Sequence, residues 1–131
     1  MQCIDVVAAI IWNSERDAIL ISKRLADAHL GGLWEFPGGK VDALESPEQA
    51  LQRELWEELN IQAGSLKFFQ QVEYQYPEKN VRLQFYHAYA IHGAVKAKEG
   101  QEWRWVKLSD ISAYSFPAAN QPIVDALLAA C

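Results

Sequence analysis

Three glutamates, Glu54, Glu57 and Glu58, crowd the end of the stretch "SPEQALQRELWEELNI", Ser46 to Ile61, which has the pattern of a single helix. At about 100° per residue the three carboxylates fall within roughly 100° of one another, beside an apolar stripe of Leu51, Leu55 and Leu59. Like charges at these spacings repel by about a few tenths of a kcal/mol per pair. The partial negative charge of a helix C-terminus adds to that cost. One reading is a solvated acidic face. The other is a hard divalent cation, because Mg2+ or Mn2+ takes several oxygen ligands at one place, and no soft or nitrogen ligand stands in the cluster. The cost of the crowding, together with the glycine-rich loop before the helix, favours the cation.

The elements that must position these groups are legible to different degrees. Ser46 as a hydroxyl N-cap, Pro47 at the first helical position and Gln49 three residues after the cap predict a helix over Pro47 to Leu59. Asn60 follows, a residue that accepts the left-handed backbone found after a helix. Ahead of the helix, Ile4–Trp12 and Ala18–Arg24 read as β-strands in a hairpin or side by side, separated by the polar "NSERD". "LADAHLGGLWEFPGGK" reads as a loop with a short strand at "LWEF". After the helix, "LKFFQQVEYQY" and "VRLQFYHAYAIHG" predict an antiparallel pair joined by "PEKN", and "EWRWVKL" a further strand. The tail "NQPIVDALLAAC" has helical spacing of Ile123, Val124, Leu127 and Leu128, with Asn120 as N-cap. Strands, helix, strands, helix make the class α+β or mixed α/β.

The 131 residues suit one domain, and the balance of 50% hydrophobic to 22% charged residues is that of a globular chain. A net charge of −5 without any Lys/Arg-rich run argues against a nucleic-acid polymer as partner. A small phosphorylated ligand stays open if a metal supplies positive charge. Cys3 and Cys131, at opposite ends, suggest neither a disulfide framework nor a zinc site, and a reducing cytoplasm is expected. The apolar start contains Asp5 and no preceding basic residue, so a buried first strand is expected rather than a signal peptide. No apolar run is long enough to span a bilayer.

Gly39, Glu45, Arg53, Glu54, Leu55, Glu57, Glu58 and Ile61 stand at the spacing G-x5-E-x7-R-E-U-x-E-E-x-G-U, where U is a bulky aliphatic. This pattern, residues 39–61, resembles the signature of the Nudix hydrolases; Asn60 alone departs from it, in place of the last glycine. "RLADAHLGGLWEFPGGKV" and "SFPAANQPI" are similar to the corresponding parts of MutT-like members, so the resemblance covers nearly the whole chain, 1–131, as a single Nudix domain. It implies a mixed β-sheet between helices, and a loop-helix-loop that binds Mg2+, with Mn2+ as an alternative. It further implies a cytoplasmic monomer that converts a nucleoside triphosphate, 8-oxo-dGTP, to the monophosphate and pyrophosphate. Such an activity cleanses the precursors of DNA replication and avoids mutation.

Carried over by position, Glu54, Glu57 and Glu58 resemble metal ligands, joined by the Gly38 carbonyl, and Glu54 also resembles a group that handles the proton of the attacking water. Arg53 resembles the arginine that orients neighbouring glutamates, and Glu45 has a structural or electrostatic role at the loop-helix junction. Glu99 in "KEGQEW" resembles a ligand or base outside the signature; the segment is shorter than its counterpart, so Glu102 competes for that part. Arg24, His29, Glu35 and Phe36 match nucleotide-pocket positions, Ile4, Val6 and Val81 supply apolar walls, Tyr76 stacks on the base, and Lys40 meets phosphate or solvent. Oxidation at C8 turns guanine N7 into a donor while O6 stays an acceptor, an edge that an asparagine amide can read. Asn120 resembles the residue that does so. Two rivals are a pyrophosphohydrolase of CTP or another pyrimidine nucleotide and a non-catalytic nucleotide-binding domain. The second is disfavoured by the retained glutamates, and a calcium-binding structural domain by the lack of an EF-hand loop.

Overall fold

The computed structural model describes residues 3–27 and 31–130; the expected contact of His29 and the reading of Cys131 lie outside them. The first strand, β1 (Cys3–Trp12), is apolar at consecutive positions because the sheet is covered on both faces. Its alternation sends Val7, Ala9 and Ile11 to one core and Ala8 and Ile10 to the other. β1 pairs antiparallel with β2 (Ala18–Lys23), which in turn pairs with β3 (Trp34–Glu35). On its other side β1 runs parallel to β6 (Asn80–His92), from Cys3 opposite Asn80 to Ile11 opposite Ala88. With β5 (Gln62–Gln75) antiparallel to β6, the strand order is β3-β2-β1-β6-β5; β4 (Gly38–Lys40) also pairs with β1, and β7 (Trp103–Lys107) with β2.

Helix α1 (Pro47–Leu59) lays Ala50, Leu51, Leu55 and Leu59 on one face of this mixed sheet. Helix α2 (Gln121–Ala129) covers the other with Ile123, Val124 and Leu127. The α+β expectation, a mixed sheet between helices, is what is found. α1 begins with a complete capping box, Ser46 Oγ accepting from the Gln49 amide while Gln49 Oε1 accepts from the Ser46 amide. It ends at Asn60, in the left-handed region at φ 63°.

Four expectations are corrected. The "PGGK" segment is not loop throughout, because β4 gains its ladder by lying against β1, with Val7 opposite Gly39. "LWEF" shrinks to the two residues of β3. β5 (Gln62–Gln75) starts directly after the turn at Asn60, four residues before Leu66, since it pairs along nearly the whole of β6. Asn120 stands at the N-cap position of α2, but a 3-10 turn over Ala118–Asn120 runs into the helix. Its backbone is therefore already helical, and its side chain makes no capping bond.

Candidate active site

The acidic face of α1 looks across at β4. A Cβ on Gly39 would lie 2.5 Å from the Glu54 carboxylate, so any larger residue there must push that carboxylate aside. Arg53 ties loop and helix together. Its guanidinium donates to both oxygens of Glu45 (2.8 and 3.0 Å), to Glu54 (2.9 Å) and Glu57 (3.0 Å), and to the Lys40 carbonyl (3.0 Å). This is a hub of fixed carboxylates rather than a lone i, i+4 surface pair. Glu45 also accepts from the Asp42 amide at 3.0 Å, as a residue that closes the loop-helix junction should. The Arg53 bond holds the Glu45 carboxyl below its usual range.

Glu54, Glu57, Glu58 and Glu99 line one cavity of about 350 Å3 with Arg24, Glu35 and Gly38. Glu58 lies deepest, and its Oε2 is inaccessible and without a hydrogen-bond partner among the described residues. Burial pushes its carboxyl up to about 9, helped by a hydrogen bond with Glu54 and the charges of Glu54, Glu35 and Glu99. Glu35 is also raised by burial, against the lowering effect of Arg24, whose guanidinium donates to it at 2.7 Å. Among the described residues no three acidic groups close on one point, since Arg53 holds Glu57 and Glu54 to itself. The orphaned Glu58 oxygen and an all-oxygen donor set nevertheless fit a hard divalent cation, which would discharge the repulsion recorded in the raised carboxyl.

A second cavity of about 200 Å3 meets the first at Arg24, Glu35 and Gly38. Val6, Val81 and Leu83 form its apolar wall, Tyr76 and Lys79 come from the end of the β5–β6 hairpin, and Phe36 lies between Phe85 and Phe116. Asn120 also lines it, buried to 9% exposure, its side chain not engaged in capping. An acidic chamber thus adjoins a largely apolar one that is lined in part by an amide.

A family model described as the NUDIX domain matches residues 7–126. The chain belongs to the Nudix hydrolase family. It is 39% identical over 124 residues to the 8-oxo-dGTP diphosphatase of Escherichia coli, covering 95% of either chain. It is also 38% identical over 130 residues to the CTP pyrophosphohydrolase of the same organism, covering 98% of this chain and 94% of that one. A solved MutT structure, from work on Aliivibrio salmonicida and Vibrio cholerae, superposes with a TM-score of 0.88 at 41% identity, over 99% of this chain and 100% of that one.

Within this Nudix fold, most of the expected site residues converge. Glu99 lines the acidic cavity, whereas Glu102 pairs with Arg104 at 2.8 Å. Lys40 is exposed and contributes its carbonyl to Arg53 rather than a side chain to either cavity. Ile4 is likewise not in the apolar wall. Sequence reasoning passed over Lys79, read as part of the "PEKN" connector; only the hairpin register, Gln75 opposite Asn80, brings it beside Tyr76 over the cavity. Gln101, a buried amide, was also missed, and its burial within the polar run "KEGQE" carries no signal in the sequence.

Proposed function

We propose that this chain is a Mg2+-dependent nucleoside triphosphate pyrophosphohydrolase, with 8-oxo-dGTP as substrate and 8-oxo-dGMP and pyrophosphate as products. The observation that carries the reading is the junction of two cavities: a buried Glu58 oxygen, unpaired among the described residues, in a chamber of five glutamates that shares Arg24, Glu35 and Gly38 with a largely apolar pocket lined by Asn120. Glu54, Glu57, Glu58 and Glu99, with the Gly38 carbonyl, would hold Mg2+ or Mn2+. The ion supplies neutralisation of the phosphate oxygens and a more acidic water.

The chain's own residues do the rest. Arg53 fixes the Glu54 carboxylate, which takes the proton of the attacking water. Arg24, steadied by Glu35, lies where the two cavities meet and presents positive charge between base and phosphates. Phe36 and Tyr76 exclude water from the base pocket, and Asn120 offers one donor and one acceptor to the oxidised purine edge. A base lacking that edge leaves the amide unpaired, which is how polar pockets discriminate. The proposal takes a monomer as the working unit, and the nucleotide pool it would act on is cytoplasmic. Among the described residues no helix is long and apolar enough to cross a membrane.

Resemblance to a CTP pyrophosphohydrolase at nearly the same identity keeps a pyrimidine substrate as the second reading. Pyrophosphate release from 8-oxo-dGTP, dGTP and CTP with Mg2+ separates them. A kcat/KM for 8-oxo-dGTP well above the other two is expected; CTP outpacing it severalfold would transfer the assignment to the second reading.

A further inference from the structure

Asn60 is the one departure from the Nudix signature, and its side chain makes a bond that glycine cannot. While the backbone turns at φ 63°, the Asn60 amide donates to the Ala94 carbonyl at 3.2 Å. Ala94 opens the segment that carries Glu99. The preceding Gly93 lies flush on the same residue, since a Cβ there would come within 2.7 Å of the Asn60 carbonyl oxygen. From this root the segment is strapped along the end of α1. The Lys96 amide donates to the Leu59 carbonyl (2.9 Å) and the Lys98 amide to that of Glu58 (3.0 Å). These are carbonyls that a helix C-terminus leaves without intrahelical partners. The Lys98 ammonium sits 4.4 Å from the Trp56 ring centre, and the Gln101 side-chain oxygen accepts from the Glu99 amide at 3.1 Å.

We infer that Asn60 and Gln101 are positioning residues that hold Glu99 against Glu58 across the acidic cavity, the Asn60 amide anchoring the start of the segment and the Gln101 side chain its end. The inference rests on the hydrolase reading above for its consequence in turnover, not for its geometry. Without the clip at Ala94 the strap keeps its two backbone amides, the Lys98–Trp56 contact and the Gln101 side chain but loses the anchor at its root, and Glu99 samples positions away from Glu58. The loss belongs to metal binding and to kcat, because neither residue lines the base pocket.

Asn60→Gly tests this, since it keeps the left-handed turn and removes only the amide. Mn2+ affinity measured by calorimetry without nucleotide should fall about tenfold, in the range for removal of an outer-shell partner. Amide exchange at Lys96 and Lys98 should quicken about tenfold in the same variant, and kcat should drop with the nucleotide KM retained. Asn60→Asp, which sets an acceptor against the Ala94 carbonyl, should be impaired at least as much as Asn60→Gly. Gln101→Leu should reproduce the metal loss. In a Glu99→Gln background, Asn60→Gly should weaken Mn2+ binding no further. Wild-type Mn2+ affinity and exchange in Asn60→Gly, a fall in melting temperature alone, or a full further loss on top of Glu99→Gln would each overturn the inference. A wild-type protein that binds Mn2+ but hydrolyses no triphosphate would instead remove the hydrolase reading and leave the exchange and calorimetric arms to decide the positioning role.

Discussion

Glu58 is where burial and charge oppose one another most strongly, and its protonation should be visible in stability. Its carboxyl, raised from the usual 4.5 to about 9, is held protonated by the folded chain and released by the unfolded one over that interval. A proton bound more tightly in the folded state stabilises it fully below about pH 4.5, and this contribution is lost as pH rises towards 9. Melting temperature in EDTA should therefore carry a downward component between pH 5 and 9 that Glu58→Gln removes. Excess Mg2+ should reverse that component, because the ligand must lose its proton to bind. Glu54 belongs to the same scale. Glu54→Gln should keep the wild-type circular dichroism spectrum while turnover falls by about 10²- to 10⁴-fold, the range for a positioned proton acceptor; undiminished turnover would reject the role given to it. Arg53 belongs to the same proposal, since one guanidinium pairs with Glu45, Glu54 and Glu57 at once.

Helix α1 was readable because its signals are local. Ser46, Pro47 and Gln49 act within one turn, and both bonds of the capping box are present. Ser46→Ala should cost about 1 kcal/mol, seen as a fall of roughly 3 to 5 °C in melting temperature, with kcat little changed. Strand β4 was not readable, because three residues of "GGK" carry no periodicity and become a strand only when β1 offers a ladder. Its glycines have a functional consequence as well as a conformational one. Gly39→Ala would drive a methyl group into the Glu54 carboxylate, and a displacement of about 1 Å in a reacting group costs up to about 10²-fold in rate. Steady-state kinetics should show that loss in kcat, with a far smaller change in melting temperature.

Across the whole molecule the pocket proposed for the base is a product of topology. Val6 comes from β1, Tyr76 and Lys79 from the end of the β5–β6 hairpin, and Asn120 from the turn before α2, brought together because β1 and β6 lie side by side in parallel. A nucleoside monophosphate product should therefore slow amide exchange in all three segments together, while residues 108–113, outside both cavities, stay unchanged. Protection confined to one segment would contradict a shared pocket. The sequence by itself determined α1, its caps and the crowding of Glu54, Glu57 and Glu58, since helical spacing and capping depend on residues within a few positions of each other. It also determined the long β5–β6 pair, through alternation and a short connector. Tertiary structure alone put Glu99 rather than Glu102 in the acidic cavity, by strapping the first along α1 and pairing the second with Arg104. It alone turned Asn120 from a cap into a pocket residue, because a side chain's direction depends on the backbone it inherits from the preceding turn and on partners dozens of residues away, and one-dimensional spacing encodes neither.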